Sequence, residues 1–324
     1  MRVVCLGASP TFGWGVDEAQ TYPAVLERAL QKRGLDVQVI NAGVPGYTSW
    51  QGLRWLKSGG PLEWHPDALT IAYDLNDLDR FRFFGNNGRT DADQPPSSET
   101  AAAVQNLLNR SAAYRMFRKS LMGAVGRRGD FEAADMPRRV PVEDYAANLT
   151  EISHLARARG LDLVYLKMPF HFPFDRVKVR DPERAAKRRR EAGEALARGD
   201  RDAARRAFEE SLEADPTQGG IYEPYVKLLA EMGEDEAAGR VRWLIPFIYA
   251  FSDRADLRYN AAVADVALKT GRPLADVVEA FDRDGRGDGL WNSAEDPFHP
   301  NAAGHAIVAE IVADILEPIL RKRG

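Results

Sequence analysis

The sequence predicts a doubly wound α/β fold, a parallel sheet with helices on both faces, and three observations predict it. Short apolar runs of strand length recur and stop at glycine or at polar turn residues. Segments with helical periodicity separate them. The same alternation resumes after each of two interruptions, so the α/β pattern occupies both ends of the chain.

The elements follow in order. Val3 to Leu6 is an apolar run that stops at Gly7, the pattern of a buried parallel strand. After a loop rich in Gly, Ser and Thr, Tyr22, Val25, Leu26 and Leu30 give Tyr22 to Lys32 a helical period. Val37 to Ile40 reads as the second strand, followed by Asn41-Ala42-Gly43, and Ser49 to Leu56 as a helix. Ala68 to Ala72 is the third strand and closes with Tyr73-Asp74-Leu75-Asn76-Asp77. From about residue 80 to 140 the rhythm breaks: Phe81-Arg82-Phe83-Phe84 leads into a Gly/Asn/Asp/Pro/Ser-rich stretch from Gly85 to Ser98. That region reads either as a lid with an aromatic substrate wall or as a surface loop with a helix packed on the sheet. The pattern returns with a helix over Val142 to Arg159 and a strand over Leu161 to Met168, and pauses after Pro169. It ends with a helix near Tyr259 to Lys269, a strand at Ala275 to Phe281 and a helix over Ala302 to Leu320.

The second interruption has a period of its own. Gly199-Asp200-Arg201-Asp202-Ala203-Ala204 recurs 34 residues later as Gly233-Glu234-Asp235-Glu236-Ala237-Ala238. Ala192 falls on a first helix, Phe208 and Leu212 on a second, and Pro216 closes the unit. Small residues let paired helices approach closely, and Phe208 fills the groove between them. Residues 183–245 therefore resemble a tetratricopeptide module of one full repeat and a second, diverged one. About three repeats are needed for independent stability, so this segment has to lean on the α/β part. The expected division is an α/β domain over 1–182 plus 246–324, with 80–140 as a lid-like insertion and 183–245 as a helical insertion.

Composition bounds the partners. The chain has 324 residues, 44% hydrophobic and 28% charged, enough apolar material for a sizeable core. A net charge of -4 gives no electrostatic reason to expect nucleic acid. The basic run Lys187-Arg188-Arg189-Arg190 is followed closely by acidic residues and reads as a solvated helix face. Cys5 is the single cysteine, so neither an intrachain disulfide nor a cysteine metal cluster is expected. His65, His154, His171 and His305 are scattered without ligand spacing, and neither metal nor cofactor is expected. No window approaches the ~18–20 apolar residues of a membrane span. The expected location is cytoplasmic, an N-terminal leader or anchor outside the given chain aside.

In open α/β sheets ligands bind beyond the C-terminal strand ends. Polar clusters follow the first three strands, and a fourth precedes the last helix. Gly7-Ala8-Ser9-Pro10-Thr11-Phe12-Gly13 sets a serine on a glycine-rich turn, where its hydroxyl can stand above the sheet and its N–H can face an oxyanion; such turns also cap helices or bind phosphate. Asn41-Ala42-Gly43 offers a close backbone approach at Gly43, or an ordinary turn. Asp74-Leu75-Asn76-Asp77 offers the Asn76 amide as an oxyanion donor and Asp77 as a loop tie, or an Asx-rich turn. Asp296-Pro297-Phe298-His299 spaces a carboxylate and an imidazole to meet across one turn, leaving the second ring nitrogen as a base.

In this order the four blocks resemble the signature of the SGNH (GDSL-like) hydrolases: G-D-S, a glycine after strand two, G-x-N-D after strand three, and D-x-x-H before the final helix. The resemblance covers about 1–80, 141–170 and 250–324. It implies a three-layer, flavodoxin-like parallel sheet and a serine hydrolase. By that resemblance Ser9 is the nucleophile, His299 the general base and Asp296 its orienting partner. The N–H groups of Ser9 and Gly43 and the Asn76 side chain form the oxyanion hole. Two positions depart from the family pattern: Ala8 stands where it has aspartate, and Asp74 where it has glycine. Trp14, Tyr47, Phe81 and Phe170 are candidates to line the substrate wall, and Asp74 and His171 to reach the substrate.

Three functions are open at this level. One is hydrolysis of an acyl ester, acetyl foremost, on a carbohydrate or natural product through an acyl-enzyme. Another is acyl transfer from the same acyl-enzyme. The third is a non-catalytic scaffold that binds a protein or peptide through the helical insertion.

Overall fold

A computed structural model describes residues 1–79, 90–93, 137–171, 180–251, 255–293, 296 and 298–323. Strands β1 (Arg2–Gly7), β2 (Gln38–Gly43), β3 (Ala68–Ala72), β4 (Asp162–Lys167) and β5 (Leu274–Asp276) run parallel in the order β2-β1-β3-β4-β5. The order reverses direction beside β1, which makes the β1/β3 crevice the switch point where such sheets hold ligands.

The helices of the described residues are, in chain order, α1 (Ser9–Phe12), α2 (Tyr22–Lys32), α3 (Ser49–Lys57), α4 (Leu75–Leu78), α5 (Val142–Ala158), α6 (Pro182–Ala197), α7 (Arg201–Ala214), α8 (Tyr222–Glu231), α9 (Asp235–Phe251), α10 (Ala255–Thr270), α11 (Val277–Asp284) and α12 (Ala302–Arg321). The two-residue period of a strand divides them between the sheet's faces. Val3 and Cys5 join Leu26 and Leu30 of α2 and Val308 and Val312 of α12 on one face. Val4 and Leu6 join Leu53 of α3, Leu149 and Ile152 of α5 and Val263 of α10 on the other. Strand β4 repeats the alternation, with Val164 and Leu166 toward the first cluster and Leu163 and Tyr165 toward the second.

Two elements differ from the sequence reading. The parallel ladder carries β2 on to Gly43, in register with Gly7, so Asn41-Ala42-Gly43 is strand and the loop begins at Val44. Ala275 to Phe281, expected as a strand, is a strand only through Asp276. The Asp276 carboxylate accepts the Glu279 N–H at 3.0 Å and starts α11. Val277 and Phe281, four apart, then bury one face of that helix.

Helices α6 to α9 enclose a third cluster in which Ala192, Ala204, Phe208, Tyr225 and Leu229 are buried. Phe208 lies against Tyr225 with ring centroids 5.7 Å apart. The sequence repeat reappears as a repeat of backbone hydrogen bonds. Gly199 N–H donates to Leu196 O at 3.0 Å and Asp200 N–H to Ala195 O at 3.0 Å. Gly233 N–H donates to Ala230 O at 3.1 Å and Glu234 N–H to Leu229 O at 2.9 Å, each 34 residues further on. Both glycines hold a positive φ, 76° and 79°, the left-handed turn that ends one helix and starts the next. Tyr222 and Ile248 belong to the cluster that covers the sheet, while Leu212, Val241 and Ile245 pack against both clusters. The helical segment and the sheet thus share apolar surface. No helix among the described residues is long and apolar enough to cross a membrane.

Candidate active site

Strand β1 ends at Gly7, and α1 begins two residues later with Ser9 and Pro10. The turn is too tight for a side chain at position 7: a Cβ there lies 2.0 Å from Thr11 Oγ1 and 2.8 Å from Ala72 O. α1 lasts one turn and closes at Gly13, whose φ of 92° is the left-handed cap. This places Ser9, buried, just past the C-terminal end of β1.

The imidazole meets it from the loop before α12. His299 Nε2 lies 2.8 Å from Ser9 Oγ, and His299 Nδ1 lies 2.9 Å from each Asp296 carboxylate oxygen. Asp296 Oδ1 also accepts the backbone N–H groups of Phe298 at 3.2 Å and His299 at 3.1 Å. An acceptor-only carboxylate against Nδ1 places the proton there and leaves the Nε2 lone pair toward the serine hydroxyl. The loop is itself held down. Asn292 N–H donates to His299 O at 3.1 Å, and Asn292 Nδ2 donates to Trp14 O at 2.8 Å, which ties the histidine loop to the serine loop.

The second and third loops lie alongside. Asn76, on α4, is almost wholly buried and donates from Nδ2 to Tyr47 O at 2.9 Å. Asp77 acts as the tie expected of it, accepting Ser49 N–H at 2.9 and 3.1 Å and the Ser49 hydroxyl. Burial pushes its carboxyl up to about 8 against the pull of those donors and of Arg139.

Gly43 does not stand where the family pattern suggested. Its N–H is taken up by Asn41 Oδ1 at 3.0 Å. The residue is a glycine because α1 crosses it, and a Cβ would lie 2.2 Å from Phe12 N and 2.6 Å from the Thr11 carbonyl carbon. Gly43→Ala is therefore expected to displace the turn that carries Ser9. It should cost about 1–3 kcal/mol of stability, as overpacking does, and lower turnover as well. Denaturant midpoints and kcat read both effects, and an unchanged pair of values contradicts the account. Gly46, three residues on, has a φ of 83°, and among the described residues its N–H meets no acceptor. The next residue's carbonyl is the one that receives Asn76. The sequence reading missed Gly46, although the Pro45-Gly46 pair after the strand marks a turn that needs φ > 0.

The remaining candidates divide. Trp14 is 55% exposed and its ring lies 6.2 Å from that of His299, so it flanks the serine. Tyr47 packs edge-on against Trp55, with centroids 6.4 Å apart, and contributes its carbonyl to Asn76. Phe170 packs edge-on against Phe298, next to His299. His171 stacks on Trp291 at 5.5 Å and pairs with Asp288 at 2.5 Å, so those two residues, not the serine, are its partners. Phe81 lies outside the described residues. His305 is buried on α12, where Nδ1 accepts Tyr22 N–H at 3.1 Å and desolvation pulls the ring down to about 4.

Asp74 serves its own turn. Its carboxylate accepts the Leu75 N–H at 2.5 Å, and its carbonyl accepts the N–H groups of Asp77 at 3.0 Å and Leu78 at 3.1 Å. Burial pushes this carboxyl from 3.8 up to about 7. The folded chain then keeps a proton that the unfolded chain releases, so the contribution is complete below about pH 4 and is lost as pH rises through about 7. Asp74→Asn keeps the acceptor and removes the titration. Its melting temperature should gain on that of the unsubstituted protein as pH rises from about 4 to about 8. A pH-independent difference contradicts the assignment.

With this geometry in place, the family match agrees with the sequence pattern. The chain belongs to the GDSL-like lipase/acylhydrolase family, whose model matches residues 5–218 and whose members are serine ester hydrolases. Asp296 and His299 lie beyond the matched span. Among solved structures, the chain is similar to a lipase/acylhydrolase from Enterococcus faecalis, with 15% identity over 98% of this chain and 97% of that one and a TM-score of 0.48. It is similar to the psychrotrophic esterase EstA from Pseudoalteromonas sp., with 13% identity over 99% and 98% and a TM-score of 0.47. It is also similar to Axe2, an acetylxylan esterase from Geobacillus stearothermophilus, with 13% identity over 97% and 92% and a TM-score of 0.47. No curated protein matches the chain.

Proposed function

We propose that this family member is a serine esterase that hydrolyses an acyl ester, acetyl foremost, of a carbohydrate or natural product through an acyl-enzyme. The observation that carries the reading is the continuous relay from Ser9 Oγ through His299, 2.8 Å on one side and 2.9 Å to Asp296 on the other. Ser9 Oγ attacks the ester carbonyl carbon as its proton passes to His299 Nε2. The resulting oxyanion is held by the N–H groups of Ser9 and Gly46 and by Asn76 Nδ2, with Gly46 in the place that the resemblance implies for Gly43. Collapse expels the alcohol, which takes the proton from Nε2. A water that gives its proton to Nε2 then attacks the acyl carbon; collapse breaks the bond to Ser9 Oγ, which takes that proton back from Nε2, and releases the carboxylic acid. Asp296 keeps the ring in one tautomer and stabilises the imidazolium. The half-exposed Trp14 ring beside His299 supports a sugar-bearing substrate, since an open aromatic face is what a pyranose ring stacks on.

In the same reading, residues 183–245 form a tetratricopeptide-like insertion in an α/β domain built from 1–182 and 246–324, and 80–140 is lid-like. The hydrogen-bond repeat at Gly199 and Gly233 supports the first assignment. The test of function is a series of nitrophenyl esters of rising chain length together with a peracetylated sugar. Cleavage fastest for acetyl is expected. Inertness toward every ester overturns the reading.

A further inference from the structure

Arg139 is buried beside the candidate oxyanion loops, 6% exposed. Its Nε donates to Asp91 Oδ1 at 3.1 Å and its Nη2 to Asp91 Oδ2 at 3.0 Å, the two-pronged pairing that a planar guanidinium makes with a carboxylate. Nη1 donates to Gly46 O at 2.9 Å, and Nη2 also reaches Gln51 Oε1 at 3.2 Å. Asp91 in turn accepts the Thr48 hydroxyl at 2.8 Å. One ion pair therefore grips Gly46 and Thr48 of the loop and Gln51 in the first turn of α3.

The backbone of the same residue grips the other loop. Arg139 N–H donates to Asp79 O at 2.8 Å and Val140 N–H to Asp77 O at 3.0 Å, so residues 139 and 140 pair with the turn that carries Asn76. Arg139 O accepts Asp91 N–H at 2.7 Å, which closes the bridge. Gly46 has no side chain and a left-handed φ, so little of its own structure resists a swing of its peptide planes. A donor on its carbonyl from a rigid, charge-paired guanidinium supplies that resistance.

We infer that Arg139, locked by Asp91, is a positioning residue that fixes the Gly46 loop and the Asn76 turn relative to one another and so sets the geometry of oxyanion stabilisation. The inference rests on the esterase reading above. Oxyanion stabilisation acts on the transition state, so disturbing it lowers kcat and leaves KM nearly unchanged.

Arg139→Lys keeps the charge for Asp91 but loses the fork, so one ammonium cannot hold Asp91, Gly46 and Gln51 together. Its kcat for a nitrophenyl ester is expected to fall roughly tenfold to a hundredfold, below the loss for deleting an oxyanion donor outright. KM should change less than about threefold, and phosphonate labelling of the serine should slow in parallel. Leu149→Ala, a cavity in the apolar cluster that includes Val140, touches none of these hydrogen bonds and serves as the control: it should lower the melting temperature and leave kcat of the folded protein alone. Where Arg139→Lys does not fold, Asp91→Asn is read the same way, with a smaller expected loss of kcat. A folded variant with kcat within about twofold of the unsubstituted protein, or one whose kcat loss follows its melting temperature as in Leu149→Ala, overturns the inference. The unsubstituted protein and Ser9→Ala are assayed beside it. If the former neither cleaves esters nor labels, it is the esterase reading that fails, and the two failures are distinct.

Discussion

Ser9→Ala is expected to remove ester cleavage almost completely, with a loss in turnover on the order of 10⁴–10⁶. The size of the effect follows from what the hydroxyl does. Without Oγ there is no acyl-enzyme, and hydrolysis falls back on water attacking a substrate held by the oxyanion donors alone. The fold should be indifferent to the change. Ser9 is a small residue at the first position of a one-turn helix, and its backbone, which accepts Gly13 and Trp14 N–H at 3.0 and 3.1 Å, is untouched. The comparison is kcat/KM on an acetyl ester with circular dichroism on the same preparations. Retention of full activity by a folded variant contradicts the nucleophile assignment.

The second large effect is His299→Ala. Its loss should be about as deep as that of Ser9→Ala, because Ser9 Oγ then has no group to take its proton. The informative experiment is the cycle. Serine and histidine act as one unit, so the double variant should be little worse than either single one. Losses that multiply would mean two independent contributions and would break the relay. Asp296→Ala should be milder, since the imidazole remains even when nothing holds its Nδ1 proton. The Asp296 carboxylate also anchors the 298–299 backbone, so part of that loss is a loop displaced rather than a tautomer lost.

What the sequence made legible is what is written locally. The strands β1, β3 and β4 are short apolar runs with clear ends, and Asp296 and His299 meet because three residues separate them, one turn of chain. The 34-residue echo at Gly199 and Gly233 was visible as a string and is realised as matching hydrogen bonds. The readings that changed depend on partners far away in the chain. Asn41-Ala42-Gly43 looks like a turn until the ladder with β1 is in place, and Gly43 looks like an oxyanion donor until Asn41 and the crossing of α1 are seen to occupy it. Asp276 carries the signal of a helix cap, but the β-branched pair Val277-Val278 directly after it masks that signal. Arg139 was invisible for the plainest reason: its carboxylate partner is 48 residues away, and neither residue stands in a recognisable pattern.

The central claim is that Ser9 Oγ is the atom that becomes covalently attached to the acyl group. A serine-reactive phosphonate followed by mass spectrometry of the digested protein tests it most directly. The account predicts one adduct, on the peptide that carries Ser9, formed in step with the loss of esterase activity and absent in Ser9→Ala. Esterase activity abolished by a phosphonate attached to a different residue, with Ser9 unmodified, would contradict it.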